Sequence, residues 1–116
     1  MAAGPLDSPV EGPAAVSGAV LDLVDRIPPG RVMSYGAIAE VLGLASPRIV
    51  GAVMARDGGA VPWHRVVNSV GRLPPGKEAE ARARLRAEGV PFRGERVAMR
   101  DAAWWPDPSD LDGSDE

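Results

Sequence analysis

The sequence predicts a mainly α-helical single domain of winged helix-turn-helix type, flanked by acidic tails without regular structure. Three observations predict it. Apolar residues recur at helical spacing in separate stretches between residues 14 and 89. Two of those stretches are short and joined by a few residues with a glycine in the turn. A glycine inside "VPFRGERVAM" marks a hairpin-like extension, a wing. At 116 residues the chain is one domain, with room for a single modest core. That domain is assigned to 14–105. Residues 1–13 and 106–116, rich in Pro, Gly, Ser and acid, have little to bury and are expected to be disordered.

The elements follow in order. "AAVSGAVLDLVDRI" places Val16, Val20, Leu23, Val24 and Ile27 on one face of a first helix. Pro28 ends it, because proline removes a donor and disfavours helix in the residue before it. Val32–Met33 forms a short extended entry, and Ser34 caps a second helix whose buried stripe is Ile38, Val41 and Leu42, with Gly43 as its stop. Ser46 and Pro47 open a third helix as N-cap and first helical residue, and Gly58–Gly59 closes it. "KEAEARARLRAEG" (77–89) is a charged helix supported by i, i+4 pairs such as Glu78 with Arg82 and Glu80 with Arg84. The wing turns at Gly94. Trp104 and Trp105 are expected to close the core.

Composition excludes several chemistries. There is no cysteine, hence no disulfide, no thiolate metal site and no thiol nucleophile. One histidine does not make a typical zinc site. No cofactor motif such as GxGxxG or a P-loop occurs. No apolar run approaches the ~20 residues of a membrane span, and no signal peptide is evident, so the expected location is the cytoplasm. The net charge is −3, yet residues 26–105 hold all 13 basic residues against seven acidic ones. A basic body between acidic ends is compatible with an anionic partner such as nucleic acid, and equally with an ordinary solvated surface.

Two places stand out as candidate sites. On the third helix Arg48, Gly51, Ala52 and Ala55 share one face, opposite the bulky Ile49, Val50, Val53 and Met54. A bare small-residue face with one arginine at its start lets a backbone approach closely; it also suits packing against another helix. The second place is "VPWHRVVNS", where the lone histidine, His64, stands between Trp63 and Arg65.

The strings "IPPGRVMSYGAIAEVLG", "PRIVGAVM" and "PWHRVVNSVG", in this order and spacing, resemble the C-terminal DNA-binding domain of the O6-alkylguanine-DNA alkyltransferases. The family's motif is Pro-Cys-His-Arg-Val, whose cysteine takes an alkyl group from a flipped-out guanine. Trp63 stands at that position here, as in the alkyltransferase-like proteins, which bind the same lesions without repairing them. The resemblance spans roughly residues 16–105. It implies that Tyr35 assists rotation of the target nucleotide and that Arg48 fills the gap left behind. It matches His64 and Glu88 to a proton relay that here has no thiol to serve, and makes Asn68 support for the site loop. Arg72 becomes the candidate for a loop arginine stacked on the lesion. Trp63 would wall the lesion pocket with Tyr35, His64, Asn68, Arg72 and Glu88. The third-helix face, Ser34, Tyr35 and Arg65 would contact DNA from the minor groove, and Arg31, Arg56, Arg65 and Arg72 are candidates for phosphate contacts. The implied protein is a monomeric, non-enzymatic sensor of O6-alkylguanine in duplex DNA, without cofactor, that hands lesions to nucleotide excision repair proteins.

Two alternatives stay open on the residues alone. One is a winged-helix regulator without lesion preference, which would favour Asn, Gln or Lys on the third helix. The other is a DNA-modifying enzyme with residual activity using His64 and Glu88.

Overall fold

The computed structural model describes residues 12–107. Most of the two expected tails lies outside the described residues. Helix α1 spans Pro13–Arg26 and leads, through a turn at 28–30, into the two-residue strand β1, Met33–Ser34. Helices α2 (Tyr35–Leu42) and α3 (Pro47–Asp57) follow. Two short 3₁₀ turns, Gly58–Ala60 and Trp63–Arg65, lead into β2, Val66–Val67. The chain closes with α4 (Glu78–Ala87), β3 (Phe92–Arg93), β4 (Arg96–Val97) and α5 (Met99–Ala102).

Each boundary has a local cause. α1 stops because Ile27, ahead of Pro28, is extended (φ −63°, ψ 120°). Ser34 Oγ accepts from the Ala37 amide at 3.0 Å and starts α2. Gly43 leaves α2 at φ 70°, and the next amide, of Leu44, returns to the Ala39 carbonyl at 2.8 Å. Ser46 Oγ accepts from the Arg48 amide, with Pro47 as the first residue of α3. α2 and the segment 47–60 are bent by 107° at their break, within the range of a helix-turn-helix. No single described helix is long and apolar enough to cross a membrane.

The core has two parts, where the sequence leads one to expect a single body. β1 and β2 pair in parallel, Met33 with Val66 and Ser34 with Val67. Side chains alternate across a strand, so this pair forms a partition. Met33 and Val66 join Val20, Leu23, Val24, Ile27, Ile38, Val50 and Val53 on the α1–α2–α3 side. Val32 and Val67 face the other way, toward Leu73, Ala81, Leu85, Val90, Val97 and Ala102.

Four expectations are corrected. Trp104 packs on the first cluster, but Trp105 is 55% exposed. The core closes instead with Pro106, which is fully buried although it was assigned to the tail. α4 runs only from 78 to 87, because Gly89 takes φ 84° and the helix cannot continue through it. Glu80 pairs with Arg84 at 2.8 Å as expected, whereas Glu78 accepts from the Gly76 amide rather than reaching Arg82. The wing forms as expected, β3 antiparallel to β4.

Candidate functional site

α3 presents two faces. Val50 and Val53 are buried, while Arg48, Ala52 and Ala55 are exposed. A Cβ built on Gly51 would meet nothing within 4 Å. This face forms one wall of an open groove of about 830 Å³. The lining is completed by Trp63, Pro74, Pro75 and Lys77 from later in the chain and by Tyr35 from α2. Among the lining residues there is no Asp or Glu. Half-buried Tyr35 is shared with a second hollow of about 620 Å³, lined also by Asn68, Arg72, Leu73, Pro75, Arg82 and Arg96. Burial raises the Tyr35 phenol above its ordinary value, so it stays a neutral donor.

Trp63 is held from two sides. Its ring packs on the second core cluster. Lys77 Nζ lies 4.9 Å and the Arg84 guanidinium 5.4 Å from its centroid, both in cation–π range. His64 meets the same ring edge-on at 6.0 Å. Lys77, Arg84 and the two prolines are absent from the site residues picked out in the sequence. Their spacing was the available signal for Lys77 and Arg84: seven apart, they share one face of the expected 77–89 helix, although Lys77 is the N-cap of α4.

Behind the groove lies a compact polar latch around Glu88. Its carboxylate accepts from Arg65 Nε at 3.0 Å and Nη2 at 2.7 Å, from His64 Nε2 at 2.8 Å and from the Gly30 amide at 3.1 Å. Arg65 also donates to the Ile27 carbonyl at 2.9 Å. Burial pushes the Glu88 carboxyl up, but the donors from Arg65, His64 and Gly30 outweigh it and bring it from 4.5 down to about 2. Glu88 is therefore ionised at neutral pH and only accepts, so His64 Nε2 carries the proton. His64 Nδ1, buried, has no partner among the described residues.

The expected site is thus assembled in part. Tyr35, Arg48, Gly51, Ala55 and Trp63 share the groove. Asn68 and Arg72 line the adjoining hollow. Asn68 is chiefly structural: its Oδ1 accepts from the amides of Val70 and Arg72 and shapes that turn. His64 and Glu88 lie behind Trp63 and line neither hollow. Arg65 was expected at the DNA surface, but its guanidinium is committed inward to Glu88 and Ile27. Arg31 likewise binds the carbonyls of Ala102 and Ala103. Arg56 borders the groove while bonded to Asp57 and Ser17. Ser34 serves as the α2 cap, and Ala52 points to solvent just outside the groove. Among the described residues, no cluster of His, Asp and Glu is placed to hold a metal ion.

Residues 15–90 match the family model for the DNA-binding domain of 6-O-methylguanine DNA methyltransferase. The chain belongs to that family. A DNA base-flipping protein of Vibrio parahaemolyticus is 31% identical over 93 residues, covering 75% of this chain and 93% of that protein. Alkyltransferase-like protein 1 of Schizosaccharomyces pombe is 41% identical over 78 residues, covering 61% and 72%. The crystal structure of the S. pombe protein with damaged DNA containing O6-carboxymethylguanine superposes with a TM-score of 0.67 at 32% identity, over 78% of this chain and 94% of that one. The fold is therefore the alkyltransferase-like DNA-binding fold.

Proposed function

We propose that this chain is a non-enzymatic sensor of O6-alkylguanine in duplex DNA. α3 enters the minor groove with its small-residue face, Arg48 fills the space of the extruded nucleotide, and the base turns past Tyr35 into a pocket walled by Trp63. The observation that carries the reading is the groove itself: Arg48, Gly51, Ala55, Tyr35 and Trp63 line it together. The names of the relatives support it.

The chemistry supports binding without transfer. Alkyl transfer needs a thiolate activated by a neighbouring base, and an indole offers no comparable nucleophile. The chain has no cysteine. Glu88 is saturated by Arg65, His64 and Gly30, which makes the former relay a brace for the Trp63 turn. Extruding the base costs a few kcal/mol, least where alkylation has already weakened pairing. A bound lesion that is left unchanged must be passed on, and nucleotide excision repair is the proposed recipient, with the protein acting as a monomer.

The test is binding at stated salt to matched duplexes carrying guanine or O6-methylguanine, followed by recovery and analysis of the DNA. Tighter binding with the methyl group still in place is expected. Equal binding to both duplexes, or loss of the methyl group, overturns the reading.

A further inference from the structure

The wing carries a charge arrangement that the sensor reading leaves unused. In the β3–β4 ribbon Arg93 lies directly opposite Arg96. Like charges in that register repel and weaken a ribbon. Arg100, on α5, lines the same hollow of about 610 Å³ as Arg93 and Arg96, together with Ser69, Val70, Val97 and Met99. All three arginines are exposed. Among the described residues none of them has an ion-pair partner. The neighbouring carboxylates, Glu95 and Asp101, are exposed and paired with none of the three. The fold therefore gathers three cations without an internal counter-charge.

This hollow adjoins the groove through shared walls. Arg96 also lines the middle hollow beside Arg72 and Arg82. Tyr35 is common to the middle hollow and the α3 groove. A basic track thus runs from Arg48 to Arg100. Two carboxylates border its middle, Glu95 and Glu78, and the latter is occupied by the Gly76 amide.

We propose that Arg93, Arg96 and Arg100 form a phosphodiester-binding cradle for the backbone of the same duplex, displaced along it from the flipped nucleotide. The inference rests on the sensor reading for its ligand and adds a lesion-independent attachment. Guanidinium forks match phosphate oxygens bidentately. A phosphate seated between Arg93 and Arg96 offsets their repulsion.

The experiment compares the full chain with the triple variant R93Q/R96Q/R100Q. Binding is measured against salt on a long lesion duplex that reaches the wing and on a short one centred on the lesion. Each lost phosphate contact lowers the slope of log affinity against log salt by about 0.9, so the triple variant should lose about 2–3 on the long duplex. On the short duplex the two proteins should coincide. The preference for lesion over guanine should not change. R93K/R96K/R100K should keep the slope, which separates charge from folding. An unchanged slope for the glutamine variant overturns the cradle and leaves the sensor reading standing. A lowered slope with equal binding to lesion and guanine by the unaltered chain sustains the cradle and overturns the sensor. Failure of the chain to bind any duplex at low salt overturns both.

Discussion

At the scale of single residues, the proposed sensor assigns recognition to Trp63 and bracing to Glu88. Trp63 offers an apolar wall kept in place by Lys77, Arg84 and His64. One methyl group buried against it contributes about 0.8 kcal/mol, close to a fourfold change in affinity. Trp63→Ala should therefore lower the preference for O6-methylguanine about fourfold, and more for longer alkyl groups, in competition binding; an unchanged preference would place the adduct elsewhere. Glu88 predicts a pH dependence. Its carboxyl falls from 4.5 to about 2 on folding, so the unfolded chain takes up the proton first and the stabilisation is complete only above the unfolded value. Stability should decline as pH drops from about 5 toward 2. Glu88→Gln should remove that decline and, by leaving Arg65 without a charge partner, destabilise by about 3 kcal/mol at neutral pH. Denaturant melts at pH 3, 5 and 7 check both. Glu88 was legible as a site residue only through the family motif. Its bond to Arg65 was not, because the two lie 23 positions apart and an arginine beside a histidine reads equally well as a surface group.

At the scale of elements, local chemistry was readable and remote pairing was not. Ser34, Gly43, Ser46 and Pro47 are each a cap or stop whose effect lies within four residues, and α2 and α3 begin and end where those residues dictate. The parallel β1–β2 pair joins Met33 to Val66, and nothing in a two-residue stretch announces a partner so far along the chain. The two-faced character of α3 was legible because helical periodicity sorts Arg48, Gly51 and Ala55 from Val50 and Val53. What shares the groove with that face was not, since Trp63 begins a 3₁₀ turn while Pro74 and Lys77 lie beyond β2, ahead of α4. The empty space at Gly51 separates fold from function here. Gly51→Leu adds a Cβ that meets nothing within 4 Å and replaces glycine with a stronger helix former, a gain of about 0.5–1 kcal/mol. Its melting temperature should hold or rise while duplex binding falls at least tenfold, because the groove is filled. Arg48→Ala should weaken lesion binding with the fold intact. Unchanged affinity in both variants would remove α3 from the interface.

At the scale of the whole molecule, the two core clusters meet along β1–β2, and the elements bearing the site are attached to different ones. α3 belongs to the first cluster and Trp63, α4 and the wing to the second. The groove lies between them, so its width depends on contacts that tie the halves together. One tie is Glu88, which reaches from the end of α4 to Gly30 beyond α1. Within the second half the wing is fixed through Gly71, in the turn that Asn68 shapes. The Gly71 carbonyl accepts from the Val97 amide at 2.9 Å and so fixes the loop bearing Arg72 to the wing. Gly71 holds φ 90°, and a Cβ there would lie 2.4 Å from the Val97 carbonyl oxygen. That contact is with backbone, so no rotamer change relieves it. Gly71→Ala must either shift the wing or abandon the turn, at a cost of about 1–3 kcal/mol for the backbone conformation alone. For a domain of this size the melting temperature should fall by at least about 4 °C. Because the Arg72 loop and the wing shift together, lesion preference and salt dependence should both change while stability falls, unlike Gly51→Leu, whose stability holds or rises. A Gly71→Ala chain with the melting temperature and both binding measures of the unaltered protein would show that the wing is held by its core contacts alone.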